Sequence, residues 1–166
     1  PLIDEVIIVA MEKDIEKLKK EYPQCKIIKG GETRQESSTN GVNSVQPGAK
    51  NVVIHDAARP FVSKNLIDRL YKKLQKVQSA VIPVIKIQDS IKLCKKNKVS
   101  KNIDRENIYI SQTPQLFEYE SLYSAFLHNK KKIDNFTDDA QIFNETNYIV
   151  HTISGEVDNI KITTNK

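Results

Sequence analysis

The sequence predicts one α/β domain: a mostly parallel sheet with helices on both faces and a protruding β-arm. Three observations carry this expectation. Short apolar runs rich in β-branched residues, at 5–10, 51–55 and 80–85, read as buried strands. Residues 12–22 and 63–77 between them carry apolar side chains at helical spacing, and strands alternating with helices argue for a covered, mostly parallel sheet. Residues 86–110 are instead polar, rich in Lys and Asn, and alternate in places without a helical face, which fits a hairpin leaving the core.

The elements follow in order. Residues 5–10 (Glu-Val-Ile-Ile-Val-Ala) form the first strand, and a helix over 12–22 presents Ile15, Leu18 and Tyr22 before Pro23 ends it. A short strand over 26–29 is broken by Gly30-Gly31. A short helix is expected over 37–45, with Gly41 inside it. The strand at 51–55 holds Val52, Val53 and Ile54 in a row and reads as buried on both faces. Ser63 caps a helix whose Leu66, Ile67, Leu70, Leu74 and Val77 share one face. Pro83 inside the strand 80–85 argues for an edge position or an irregularity. Residues 116–127 read as a helix, and 137–144 as a helix capped by Thr137 with two acidic residues in its first turn. Short strands at 148–153 and 159–163 close the pattern.

Composition narrows the partners. The 166 residues suffice for one sizeable core, and 39% hydrophobic with 28% charged suits a globular chain. The net charge of +5 permits an anionic partner such as a nucleotide. The lysines are scattered and lack the aromatic interleaving of single-strand binders, so no nucleic-acid partner is expected. Two isolated cysteines, Cys25 and Cys94, imply neither a zinc site nor a disulfide framework, so a reducing, cytoplasmic setting is expected. No apolar run is long enough for a membrane span. No internal repeat or linker divides the chain. It opens on Pro1 and stops on Lys166 in mid-pattern, so an N- and C-terminally incomplete domain is expected.

Asp56 is the first candidate for chemistry. It sits just past the C-terminal end of a predicted strand, where open α/β sheets bind ligands. A carboxylate there can hold magnesium, with phosphates completing the shell. Ala57 and Ala58 leave the backbone accessible, and Arg59 can pair with a phosphate in two-pronged geometry. The competing reading is an Asp in an ordinary turn.

Further segments line up with it. Gly30-Gly31-Glu32-Thr33-Arg34-Gln35-Glu36-Ser37 precedes His55-Asp56-Ala57-Ala58-Arg59-Pro60. Asp89-Ser90-Ile91-Lys92, Arg105, Gln112-Thr113-Pro114-Gln115, Thr137-Asp138-Asp139-Ala140 and Asp158-Asn159-Ile160-Lys161-Ile162-Thr163-Thr164 follow. Together they resemble the 2-C-methyl-D-erythritol 4-phosphate cytidylyltransferases over nearly the whole chain. The resemblance implies a Rossmann-like nucleotidyltransferase that joins CMP from CTP to a polyol phosphate and releases pyrophosphate, with magnesium as the metal. It places Gly31, Glu32, Arg34 and Ser37 against the cytidine, Asp56 with Ala57 and Ala58 at the magnesium–nucleotide, and Lys161 on the transferring phosphoryl group. Arg59, Ser90, Arg105, Thr113 and Thr137 would handle the polyol phosphate, with a serine at position 90 where the family usually has threonine. Asp158 is equally well a turn residue, and His55 and His151 read as structural.

The family's arm reaches a partner's active site, so residues 86–110 are expected to exchange in a homodimer, with Arg105 serving the neighbouring subunit. The family's N-terminal Gly-rich loop, which wraps the triphosphate, has no counterpart in residues 1–166. This piece alone is therefore expected to be inactive and poorly folded. The rival readings are a pentitol-phosphate (ribitol-5-phosphate) cytidylyltransferase and a degenerate, non-catalytic dimer scaffold.

Overall fold

The computed structural model describes residues 3–163. Its strands are β1 (Ile7–Ala10), β2 (Lys26–Lys29), β3 (Asn51–Ile54), β4 (Ala80–Lys86), β5 (Ile91–Lys95), β6 (Lys98–Ile103), β7 (Tyr109–Ser111), β8 (Gln115–Glu118) and β9 (Val150–Ser154). Its helices are α1 (Ile15–Glu21), preceded by a 3-10 turn at Glu12–Asp14, then α2 (Arg34–Asn43), α3 (Lys64–Val77), α4 (Tyr119–Asn129) and α5 (Asp139–Asn144). A second 3-10 segment, Lys130–Asn135, follows α4.

Among the described residues the strands form three groups: β1 with β2, a five-stranded sheet ordered β3-β8-β4-β7 with β9 also on β4, and the hairpin β5-β6. The β1–β2 and β4–β9 pairs are parallel, while β3–β8, β4–β8 and β4–β7 are antiparallel. The sheet is therefore mixed rather than mostly parallel, because β7 and β8 return against β4. β1 and β3 each have one strand neighbour among the described residues, and the incomplete burial of their side chains corrects their reading as strands buried on both faces. Their residues are half-buried, and Val53 is 40% exposed.

Helices do cover both faces of the large sheet. Leu66, Leu70 and Leu74 of α3 pack on Val81 and Leu116. On the opposite face Ala80, Ile82 and Phe117 meet Leu122 and Phe126 of α4 and Ile142 and Phe143 of α5. Alternation along β4 divides the two cores, with even-numbered residues facing one and Val81 the other.

Pro83 lies on the central strand, not an edge. Its carbonyl accepts from the Gln112 N–H at 2.9 Å, so its missing donor faces the same side. There β8 pairs only with Ala80 and Val81, and pairing with β7 begins at Val84. The proline thus stands where the antiparallel neighbour changes, and no ladder bond is lost to it.

Four other expectations shift. The helix expected over 37–45 begins at Arg34, because Thr33 and Glu36 form a reciprocal capping box. Gly41 within it lets α2 approach β1, since a Cβ there would sit 3.3 Å from a Val9 methyl. The start of the helix expected over 116–127 is instead strand β8, with Glu118 capping α4 through the Ser121 N–H. α5 is capped by Asp138 rather than Thr137, through the Gln141 N–H at 2.9 Å. Residues 159–163 are not a strand, and Thr164 lies outside the described residues.

The arm matches its expectation as an exposed hairpin. β5 and β6 pair antiparallel and turn through Lys96 and Asn97, both left-handed (φ 45° and 62°), the geometry of a two-residue hairpin loop. Almost every residue of the two strands is exposed, including Leu93 and Val99.

Candidate active site

The loop after β3 delivers Asp56, whose carboxylate lies between two cations. Lys161 Nζ is 2.8 Å from Oδ2, and Arg34 Nε is 3.1 Å from Oδ1. Burial alone would raise the Asp56 pKa. The Lys161 hydrogen bond and the charges of Arg34 and Lys161 outweigh it and hold the carboxyl below its usual range. Arg34 reaches this point because it is the first residue of α2, set by the Thr33 cap. Its Nη2 donates to Asp139 Oδ2 at 2.7 Å, and Asp139 is fully buried. Burial would lower the Arg34 pKa, but the Asp139 and Asp56 carboxylates raise it.

A hydroxyl and an imidazole fix the Asp56 backbone. The Asp56 N–H donates to Thr113 Oγ1 at 3.0 Å, and Thr113 Oγ1 lies 3.1 Å from His55 Nδ1. His55 Nε2 is 3.0 Å from the Arg59 carbonyl, which can only accept. The imidazole therefore carries its proton on Nε2, and the Thr113 hydroxyl donates to Nδ1. Burial, the largest influence, keeps the His55 pKa below its ordinary value despite the Arg59 carbonyl. His55 thus has two definite partners, where the sequence suggests none.

Lys161 is placed by a tied loop rather than a strand. Asn159, fully buried, donates from Nδ2 to the Thr113 carbonyl at 2.8 Å. Its own carbonyl accepts from Arg59 Nη1 at 2.8 Å and from Gln112 Nε2 at 3.2 Å. The Ile162 N–H donates to the Ala58 carbonyl at 2.8 Å. Arg59 is therefore buried and spent partly on holding this loop, while the Lys161 side chain stays 39% exposed beside Asp56.

On the other side of the first turn of α2 lies a cleft of about 460 Å³ lined by Gly30, Gly31, Glu32 and Ser37 together with residues of β1 and its following turn. Ser37 does not cap the helix; its Oγ accepts the Gly31 N–H at 3.1 Å. Gly31 packs so tightly that a Cβ would fall 2.2 Å from that of Glu36. Only glycine fits this turn against the helix.

The predicted residues thus divide into groups. Arg34, Asp56, Arg59, Thr113 and Lys161 converge, with Ala57 and Ala58 in the same loop, and Gly31, Glu32 and Ser37 line the neighbouring cleft. Ser90 and Arg105 belong to the arm, where the Arg105 guanidinium donates to the Gln88 carbonyl beside a cleft of about 510 Å³. Thr137 donates its hydroxyl to Gln141 Oε1 at 3.1 Å, just before α5. Asp158 lies in an exposed turn. Asp139, Gln112 and Asn159 are the convergent residues to which sequence reasoning gave no role. Their only signal is position, inside motifs whose other members were singled out.

Among the described residues no group of three or more His, Cys, Asp or Glu could hold a metal ion. Asp56 is a single carboxylate, with each oxygen paired once and lone pairs remaining. That donor set fits a magnesium ion carried in by nucleotide phosphates, which needs one or two carboxylates, and does not fit an all-protein cage.

The family model of the 2-C-methyl-D-erythritol 4-phosphate cytidylyltransferases (IspD) matches residues 1–166. The chain belongs to the IspD family. It is 38% identical to the 2-C-methyl-D-erythritol 4-phosphate cytidylyltransferase of Clostridium acetobutylicum, over 99% of this chain and 74% of that protein. It is 41% identical to the bifunctional IspD/IspF enzyme of Pelagibacter ubique, over 98% of this chain but only 43% of that longer protein. The crystal structure of 4-diphosphocytidyl-2C-methyl-D-erythritol synthase from Anaerococcus prevotii superposes with a TM-score of 0.87 at 31% identity, covering 98% of this chain and 74% of that one. The IspD relationship gives the mixed sheet its class, a Rossmann-like nucleotidyltransferase fold. No helix among the described residues is long and apolar enough to cross a membrane.

Proposed function

We propose that this chain carries the active site that transfers CMP from CTP to 2-C-methyl-D-erythritol 4-phosphate, a step of isoprenoid precursor synthesis. The observation that carries the reading is Asp56 held between Lys161 and Arg34 at the end of β3, in a chain of the IspD family. A phosphate oxygen of the polyol substrate attacks the α-phosphorus of CTP. The new P–O bond forms as the bond to the β-phosphate oxygen breaks, and pyrophosphate leaves. Such a transfer asks the protein for alignment and charge neutralisation rather than covalent chemistry.

Lys161, half-exposed and adjacent to Asp56, neutralises charge on the transferring phosphoryl group. Asp56 would hold a magnesium ion arriving with the nucleotide, which would supply charge neutralisation at the phosphates. The cleft at Gly31, Glu32 and Ser37 takes the cytidine, with backbone groups exposed by the glycine turn. Arg59 and Thr113 bound the polyol side of the site, and Thr137 serves the same substrate. The exposed arm carries Ser90 and Arg105 towards the same substrate in a second copy of the chain, which makes the protein a homodimer with shared sites.

The test is Asp56→Asn in the intact protein. Pyrophosphate release should fall by about a hundredfold or more, as when a single group that stabilises transition-state charge is removed. The melting curve should stay cooperative. Near-normal magnesium-dependent turnover by this variant refutes the assignment. Assaying ribitol 5-phosphate beside the methylerythritol phosphate distinguishes the polyol.

A further inference from the structure

Arg34 is engaged on all three nitrogens. Nε donates to Asp56 Oδ1 at 3.1 Å, Nη1 to Gln35 Oε1 at 2.9 Å and Nη2 to Asp139 Oδ2 at 2.7 Å. A guanidinium spent in this way spans the end of β3 and the start of α5 as a strut, which leaves little of it for a nucleotide base. Its outer anchor is costly. Asp139 is fully buried, and its second oxygen, Oδ1, has no hydrogen-bond partner. An ion pair whose carboxylate is fully buried while its arginine is partly exposed is a poor source of stability, so its geometry calls for another explanation.

We propose that Asp139 is a positioning residue: it anchors Arg34, and Arg34 in turn orients the Asp56 carboxylate for the metal–nucleotide. Anchored on Asp139, the guanidinium offers Asp56 only Nε and leaves lone pairs on that carboxylate open. Released, it is free to turn a second nitrogen onto Asp56 and grip it with two prongs, covering the lone pairs a metal needs. Asp139 is 105 residues from Arg34 in sequence, which is why no local motif discloses the link. The inference rests on the cytidylyltransferase reading of Asp56.

The test uses the intact protein and manganese as a spectroscopic probe for magnesium. Mn²⁺ is titrated by electron paramagnetic resonance with a non-reacting methylene analogue of CTP, for wild type, Asp139→Asn, Arg34→Lys and the double variant. Asparagine keeps the shape of Asp139 but not its charge, and lysine keeps the charge of Arg34 but cannot span both carboxylates. Each single variant should bind Mn²⁺ about 10–100-fold more weakly, the usual effect of losing a group that orients a metal ligand. The double variant should be no worse than the worse single, because Asp139 acts through Arg34. Asp139→Glu should recover part of the loss.

Wild-type Mn²⁺ affinity in folded Asp139→Asn overturns the proposal, and so do losses that multiply in the double variant. If Asp139→Asn fails to fold, folded Arg34→Lys decides: unchanged Mn²⁺ affinity there also overturns it. A wild-type protein that turns over no CTP refutes the functional reading itself, whereas active wild type with an indifferent Asp139→Asn refutes only the positioning role.

Discussion

His55 has its proton on Nε2 and Thr113 bridging it to the Asp56 N–H, so the backbone beside Asp56 depends on a neutral imidazole. Burial depresses its pKa below the unfolded value of 6.5. The unfolded chain then binds more protons than the folded one between those two values, so stability rises with pH across that window. The contribution is fully present above the unfolded pKa and is lost as pH falls through the folded pKa. Urea unfolding of the intact protein should show a higher midpoint at about pH 7.5 than at about pH 5.5, where histidine titrates. His55→Gln should flatten the difference. An equal pH slope in both proteins shows that other groups carry it.

At the scale of elements, the N-terminus of α2 is the piece on which the site turns. Thr33 Oγ1 accepts the Glu36 N–H at 3.1 Å, and the Glu36 carboxylate returns to the Thr33 N–H at 3.4 Å. This cap fixes the turn that carries Arg34 to Asp56. Thr33→Ala should cost about 0.5–2 kcal/mol of stability, the usual range for losing such a cap. Thr33→Ser should cost little. Chemical denaturation of both variants checks the ordering, and an alanine variant as stable as the serine one removes the cap from the account. The Thr-x-x-Glu spacing was in the sequence, but the expected start at Ser37 passed over it. Leu116 and Phe117 show a different limit: a short apolar pair fits a strand or a helix equally, and only pairing with β3 and β4 decides.

At the scale of the molecule, the proposed exchange of the arm would set how many chains make one site. A two-stranded hairpin with Leu93 and Val99 exposed has little stability of its own, which favours a partner. Arg105 lies on this projection, held by the Gln88 carbonyl and not joined to the Asp56 cluster. Two-fold symmetry would exchange both arms equally. Mixing intact Arg105→Ala and Asp56→Ala chains, each nearly inactive alone, should then recover about a quarter of the sites, since half the dimers are mixed and one site of each is free of both changes. Heterodimers as inactive as their parents would place Arg105 in the site of its own chain.

What the sequence determined by itself is local. The 3.6-residue spacing of Leu66, Leu70 and Leu74 set α3 and its buried face, and Ser63 set its start. The run Val52, Val53 and Ile54 set β3 and left Asp56 just past its end, and the missing apolar face of residues 86–110 set the arm apart from the core. These follow from periods that operate within a few residues. Tertiary structure decided which strands lie beside which, so that Pro83 sits mid-sheet and β3, among the described residues, has β8 as its one neighbour. It also decided what surrounds Asp56: Arg34, Thr113, Asp139 and Lys161 come from four distant segments. Their meeting depends on long-range packing of both sheet faces and on buried polar groups such as Asn159 finding distant partners, and no local period encodes such pairings.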